Sequence, residues 1–425
     1  MKLVSTQQQS SPVLFREAMF AGMAADGGLF VPGQLPVLPD IQAASLQQLG
    51  MKIMSALLDD IAPAVLQQIL QQALDFPIPL IKLQKNIYLL EVFHGPTLAF
   101  KDVGARFMAN MMAFYLANEN KHVTIMVATS GDTGSAIANA FHGMPHIDVV
   151  ILYPSQKITL LQEKQMTTLD GNVHALEIQG TFDDCQRLVK TALQDVSLRK
   201  QKWVTTANSI NIARLLPQII YHAWGVMQLR QSGINEMPVM SVPSGNLGNL
   251  TAAVYAQAMG LPVKHFIAAT NANAILPDYL GSGVFSPKPS RQTCSNAMDV
   301  GNPSNFERLQ TYYQHSCAAM RNAITGVSIS DEETLREIRH TYETTKYIVD
   351  PHTAVGLSAV KRVGVTSPVI VTATAHPAKF PEVIKQAINI DVEMPASLRI
   401  LMSKPKQSVL MQADYNDLQR YLLEI

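Results

Sequence analysis

The chain has 425 residues, enough for two or three domains of about 100–200 residues each. Hydrophobic residues make up 47% and charged residues 16%, a globular balance, and Lys+Arg equals Asp+Glu at 33 each. That excludes the basic footprint of a nucleic-acid binder and a polybasic membrane patch. No uninterrupted apolar run reaches the ~18 residues of a membrane span. The opening MKLVSTQQQSS lacks the apolar core of a signal peptide. Cys185, Cys294 and Cys317 are scattered without metal-ligand spacing, so structural thiols in a reducing cytoplasm are expected.

Residues 1–85 carry little site chemistry. Ala25, Asp26, Gly27 and Gly28 make a turn before the apolar run Leu29, Phe30, Val31, and Pro32, Pro36 and Pro39 then interrupt regular structure. Residues 41–75 place apolar side chains at helical spacing among glutamines, for example Ile61, Val65, Ile69 and Ala73. A small, mostly helical N-terminal domain over 1–85 is expected. The next stretch, EVFHGPTLAFKD over residues 91–102, organises the rest. It sets Lys101 among Phe93, Leu98, Ala99, Phe100 and Val103. A lysine by itself is usually exposed, but Gly95, Pro96 and Thr97 make a tight turn and a helix cap rather than a solvated face. Desolvation disfavours the ammonium and lowers its pKa, as a lysine forming a Schiff base with a carbonyl cofactor requires.

From residue 121 short apolar runs alternate with loops and helices. Runs at 123–128, 148–153, 174–178, 237–242, 265–269 and 368–373 read as strands buried on both faces, which implies parallel sheets. Thr181 with Asp184 three residues on reads as a helix N-cap pair. Ligands in such sheets bind at the carboxyl ends of the strands, and three featured loops fall there. TSGDTG (129–134) offers hydroxyls and N–H groups at a helix N-terminus, although Ser130 or Asp132 could equally be plain N-caps. SGNLGN (244–249) lets backbone N–H groups approach a phosphate; it is neither a Walker motif nor a full GxGxxG fingerprint. Thr372 and Thr374 lie two apart on one strand and face the same way, so spacing does not choose between them. NSINIAR (208–214) crowds Asn208, Ser209, Asn211 and Arg214 between apolar runs, and an arginine there suits bidentate recognition of phosphate or carboxylate. His94, His352 and His376 lack the spacing of a metal site, so no metal is expected.

HGPTLAFKD, continuing through Val103, Gly104, Ala105 and Arg106, resembles the pyridoxal-phosphate lysine motif of the threonine synthase family. The likeness extends over Gly245 to Asn249, the 294–299 segment CSNAMD, and Thr374 to Phe380, and so over nearly the whole chain. The resemblance implies an α/β fold: two doubly wound sheet units of the fold-type-II, tryptophan synthase β-like architecture, plus the mostly helical N-terminal domain. The expected division is 1–85 for that domain, 86–120 with 205–390 for a large cofactor-binding domain, 121–204 for a small α/β domain, and 391–425 for a helical tail. It implies pyridoxal 5′-phosphate on Lys101, with its phosphate at Gly245, Asn246, Leu247, Gly248 and Asn249 and its pyridine nitrogen at Thr374. Asp132 stands where fold-type-II enzymes usually carry an asparagine facing the cofactor's 3′ oxygen. Substrate groups are expected at Thr129, Ser130 and Thr133 for the carboxylate and at Asn208, Ser209 and Arg214 for a phosphate. The implied activity is conversion of O-phospho-L-homoserine and water to L-threonine and phosphate, the last step of threonine biosynthesis. It is carried by a cytoplasmic monomer or simple homo-oligomer with no nucleic-acid or membrane partner. A serine/threonine dehydratase-like lyase would share Lys101 and the glycine loop but would not need the anion site at 208–214. A catalytically inactive binder of a phospho-ligand would not need Lys101.

Overall fold

The computed structural model describes every residue except Asp40, Asn118, Asn120 and Ser130. Among the described residues the strands are, in chain order, β1 (Leu3–Ser5), β2 (Phe30–Pro32), β3 (Leu80–Gln84), β4 (Ile87–Glu91), β5 (Val123–Ala128), β6 (Ile147–Pro154), β7 (Val173–Gln179), β8 (Trp203–Thr206), β9 (Val239–Pro243), β10 (His265–Thr270), β11 (Ile324–Ser328), β12 (Val369–Ala373) and β13 (Val409–Gln412). They form two large sheets and one small pair. The larger sheet has the order β11-β10-β9-β12-β4-β3, parallel except for the β3–β4 pair. The second has the order β13-β7-β6-β5-β8 and is wholly parallel. Strands β5, β9 and β12 are buried along their full length, as continuous apolar runs require when helices cover both faces of a sheet.

The N-terminal region is built on helices Phe15–Ala21, Leu46–Leu57 and Pro63–Ala73. Ser45 caps the second through Gln48 N–H, and Pro63 opens the third at a position where its missing N–H costs nothing. Their apolar faces, including Leu49, Ile53, Leu66 and Leu70, join the main core. Two features differ from expectation. The division at residue 85 falls inside the β3–β4 hairpin, so residues 80–84 belong to the larger sheet. That edge strand is half-buried except at exposed Lys82, which interrupts its apolar run, and it lies between Pro77, Pro79 and a polar turn. The tail over 391–425 is not only helical: helices Ala396–Ser403 and Tyr415–Glu424 flank β13, which pairs with β7. The chain thus returns to the second sheet after completing the first. Leu418 and Leu422 of the last helix pack with Leu188, Val189 and Leu198 on one face of that sheet.

Among the described residues no helix is long and apolar enough to cross a membrane. The two sheets present the loops after β4, β12 and β9 on one side and those after β5 and β8 on the other. Direct ties join them: Gln165 donates to the Thr97 carbonyl (3.1 Å), and Lys379, after β12, pairs with Asp132, after β5 (2.7 Å).

Candidate active site

Lys101 is the first residue of helix Lys101–Leu116. The loop that delivers it is fixed by its own sequence. The Thr97 N–H and hydroxyl donate to the two oxygens of Asp102 (2.9 and 2.6 Å), closing the turn over buried Asp102. A Cβ on Gly95 would come within 2.5 Å of Asp102 Oδ2, so only glycine lets that turn close. Leu98 takes the left-handed conformation (φ 57°), which is costly for a bulky residue. Phe100 N–H donates to the Thr374 carbonyl (2.9 Å), which holds the lysine against the carboxyl end of β12.

The Lys101 side chain is 15% exposed, and its Nζ lies 3.8 Å from Asp132 Oδ2. Burial pushes its pKa down to about 8, Asp132 opposes that shift, and the Lys379 and Arg214 cations assist it. A substantial neutral fraction is therefore present near pH 7–8. Asp132 opens helix Asp132–Phe141. Burial alone would raise its pKa, but Lys379 and Lys101 overcome this and hold the carboxyl well below the usual range. It is ionised and faces donors: Lys379 Nζ at 2.7 Å and Gln162 Nε2 at 3.1 Å.

The loop after β9 is the second element. Asn249 staples it, donating to the Pro243 carbonyl (2.7 Å) and accepting from the Ser244 hydroxyl (2.8 Å) and Leu250 N–H (2.9 Å). Its side chain is thus used within the loop. Leu247, with φ 61°, is the second left-handed leucine at the site, and it turns the chain into helix Gly248–Ala258. Among the described residues the N–H groups of Gly245, Asn246, Leu247, Gly248 and Asn249 donate to no protein acceptor. Five such groups at a helix N-terminus form an anion cradle. Gly245 has a further reason to be glycine: a Cβ would stand 2.6 Å from the Met298 Cα. Asn246 donates to the Ser209 hydroxyl and accepts from Ser304 N–H, so this loop is joined to the 208–214 segment.

That segment follows β8. Asn211 caps the short helix Ile212–Leu215 by accepting from Ala213 N–H (3.0 Å). Arg308, fully buried, clamps it from outside, donating to the carbonyls of Ile210 (2.6 Å), Ser209 (3.3 Å) and Phe30 (3.0 Å). Arg214 is 3% exposed. One guanidinium nitrogen donates to the Ala207 carbonyl, whereas its buried Nε has no partner. Burial pushes its pKa down to about 10, with Asp102 opposing. A buried guanidinium with an unused donor suits an absent anion.

Thr129 accepts from the N–H groups of Gly131 and Gly134 (2.9 Å each) and shapes its loop, and Thr133 is half-buried in the first turn of the helix. Ser130, expected beside them, lies outside the described residues. On β12 the Thr372 hydroxyl is buried without a partner. Thr374 is 5% exposed beside the Lys101 loop, and its hydroxyl also lacks a partner among the described residues. Pyridoxal phosphate fits this set: a partly neutral amine, a row of free N–H groups for its phosphate and an unused hydroxyl for its ring nitrogen. Among the described residues no group of three or more His, Cys, Asp or Glu could hold a metal ion.

Sequence reasoning missed Lys379, Arg308, Gln162 and Asn296. The Lys379 signal was available, since it sits between Ala378 and Phe380 much as Lys101 follows Ala99 and Phe100. Arg308, in a segment of mixed polarity, gave none. Gln162 donates to Asp132, and Asn296 of the 294–299 segment approaches Gln162 Oε1 at 3.5 Å, bringing that segment to the cleft.

The family described as "Pyridoxal-phosphate dependent enzyme" matches residues 72–374, "Threonine synthase N terminus" matches 2–74, and "Threonine synthase, C-terminal" matches 353–422. The threonine synthase of Haemophilus influenzae is 42% identical over 429 residues, covering 100% of both chains. That of Escherichia coli is 40% identical over 430 residues, covering 100% of this chain and 99% of its own. The solved threonine synthase of Escherichia coli superposes with a TM-score of 0.94 at 39% identity, covering 100% of both chains. The pyridoxal-phosphate-bound threonine synthase of Brucella melitensis gives 0.93 at 33% identity, covering 100% of this chain and 99% of that one.

Proposed function

This chain belongs to the threonine synthase family of pyridoxal-phosphate-dependent enzymes, and we propose that its substrate is O-phospho-L-homoserine, converted with water to L-threonine and inorganic phosphate. The observation that carries this choice is the buried Arg214, whose Nε is unpaired, in the segment that also carries Asn208 and Ser209. It is an anion site separate in sequence from the 245–249 cradle, and a substrate without a phosphate would leave it unused.

When bound, pyridoxal phosphate supplies an electron sink that lets protons leave substrate carbons. The chain's own residues do the rest. Lys101 would anchor the cofactor, and its depressed pKa suits a base that moves protons at the substrate's Cα and Cβ near neutral pH. The N–H groups of Gly245, Asn246, Leu247, Gly248 and Asn249 hold the cofactor's phosphate. Thr374 would offer its hydroxyl, a neutral partner, to the ring nitrogen. Asp132, ionised and braced by Lys379, faces Lys101. Thr129 and Thr133 hold the substrate carboxylate at the N-terminus of helix Asp132–Phe141, and Ser130, outside the described residues, is assigned the same role from the sequence. Asn208, Ser209 and Arg214 hold the substrate phosphate until it leaves from Cγ. Three free cysteines fit a cytoplasmic protein, working as a monomer or simple homo-oligomer.

The test is paired kinetics on O-phosphohomoserine and on threonine, wild type against Arg214→Ala. Phosphate release and the amino-acid product are both followed. Losing a hydrogen bond to a charged group costs about 1.5–3 kcal/mol, so KM for O-phosphohomoserine should rise roughly tenfold to hundredfold while the cofactor's visible spectrum is kept. If Arg214 also holds the departing phosphate, kcat falls with it. Unchanged O-phosphohomoserine kinetics in the variant, or deamination of threonine as the main activity, would remove this reading.

A further inference from the structure

Lys379 is as buried as any residue in the chain, at 0% exposure, and the proposed chemistry gives it no step. It lies in the turn Pro377–Lys379 after β12. Two of its three N–H donors are used, on Asp132 Oδ1 at 2.7 Å and on the Thr97 carbonyl at 2.9 Å. A buried ammonium is costly to keep unless paired, so its site was built around Asp132 and the Lys101 loop. Asp132 stands between two lysines, and its shorter contact is with Lys379 rather than Lys101.

We propose that Lys379 is a positioning residue for Lys101: its ion pair with Asp132 offsets the carboxylate's pull on the Lys101 amine and fixes that carboxylate, so that Lys101 meets the cofactor as a free amine. The proposal rests on Lys101 being the cofactor-bearing lysine. The charges that surround it support the assignment. Lys101 faces Asp132 from helix Asp132–Phe141, Lys379 from the turn after β12 and Arg214 from helix Ile212–Leu215. Asp102, on Lys101's own helix, faces Lys379, Arg106 and Arg214, and His352, bonded to Asp350 at 2.7 Å, faces Asp132. Each of the two carboxylates, Asp102 and Asp132, thus has a cation other than Lys101 opposite it. Without Lys379, Asp132 would be left with Lys101 as its remaining close cation and would hold it as the ammonium. An asparagine at 132 would need no such counter-ion, which explains why a buried lysine accompanies an aspartate here.

The test uses the full chain, freed of cofactor and reloaded with pyridoxal phosphate. The rate of attachment is read from visible absorbance between pH 6.5 and 10, as the neutral amine adds to the aldehyde carbon and water leaves. Borohydride fixation and mass analysis first establish attachment at Lys101; fixation elsewhere removes the underlying reading and the proposal with it. The pH midpoint should rise by about one unit in Lys379→Met, a roughly tenfold slower loading below the midpoint. It should fall in Asp132→Asn, where Lys379 is left unpaired, and return to the wild-type value in the Asp132→Asn/Lys379→Met double variant. Lys379→Arg should stay near wild type. If Lys379→Met does not fold, Asp132→Asn against the double variant decides. Equal midpoints in those two proteins, or an unshifted Lys379→Met, overturn the role of Lys379 while leaving Lys101 as the anchor.

Discussion

Burial and a neighbouring carboxylate act in opposite directions on Lys101, and burial wins, taking the amine to about 8. That shift is also a statement about stability. The folded pKa lies below the ordinary lysine value of about 10.4, so the group's stability contribution is present above that value and is lost as pH falls through 8. At pH 7 the cofactor-free protein therefore carries the full cost, of order 3 kcal/mol from the difference between the two pKa values. Lys101→Met, similar in volume, should be more stable than wild type at pH 7 without cofactor, and the advantage should shrink as pH rises from 8 toward 10.5. The same variant should accept no borohydride-fixed cofactor. Denaturant melts of both cofactor-free proteins across that range provide the check; a stability difference that does not change with pH would mean that Lys101 is solvated.

The β9–helix turn shows how one element carries both packing and binding, and how its glycines divide the work. A Cβ on Gly245 would strike the backbone of Met298, which cannot yield as a flexible side chain would. On Gly248 it would meet only the Asn305 amide at 3.3 Å, a contact that a small side-chain shift relieves. Gly245→Ala should therefore destabilise the fold, by about 1–3 kcal/mol as overpacking does. Gly248→Ala should leave the melting temperature of the cofactor-free protein nearly unchanged yet weaken pyridoxal phosphate by about tenfold, the effect of one lost bond to a charged group. Titration of each cofactor-free variant, paired with its melt, separates the two; equal losses of stability would assign both glycines to packing. This turn was legible in the sequence because its glycines and asparagines sit at the end of an apolar run. So were β5, β6, β9, β10 and β12, mostly buried apolar stretches, and β7, whose Val173, Ala175, Leu176 and Ile178 are buried beside half-buried His174 and Glu177, and so was Lys101, a charge among apolar neighbours. The edge strands were not. β11 and β13 are partly exposed, so their side chains record no buried face. Gln162 was legible as the end of a capping box with Thr159, but its bond to Asp132 and the bonds of Arg308 to Phe30, Ser209 and Ile210 reach partners distant in sequence, which no local pattern encodes.

At the scale of the molecule, the second sheet is not finished by the segment that begins it. Residues 123–206 supply β5 to β8, then the chain completes the larger sheet that β3 and β4 began and returns only at 409 to add β13. The last helix, Tyr415–Glu424, is capped by Asp414 and ties itself to the same unit, as Tyr415 and Gln419 donate to Asp195 at 2.6 and 2.7 Å. Leu418 and Leu422, both at 0% exposure, fill one face of the sheet with Leu188 and Leu198. The end of the chain should thus set the stability of the unit that carries Thr129, Asp132 and Thr133, far from it in sequence. Leu418→Ala removes a buried side chain and leaves a cavity, at a cost of about 2–5 kcal/mol. The loss should be local, because these contacts belong to the second sheet's own cluster. Amide hydrogen exchange should accelerate in β7 and helix Phe182–Gln194 while β9 and β12 keep their protection. Cofactor attachment at Lys101, borne by the larger sheet, should persist, while KM for the substrate rises as the 129–134 loop loses its support. Uniform acceleration across both sheets would show instead that the two units unfold as one, and the ties made by Gln165 and Lys379 would then be what joins them.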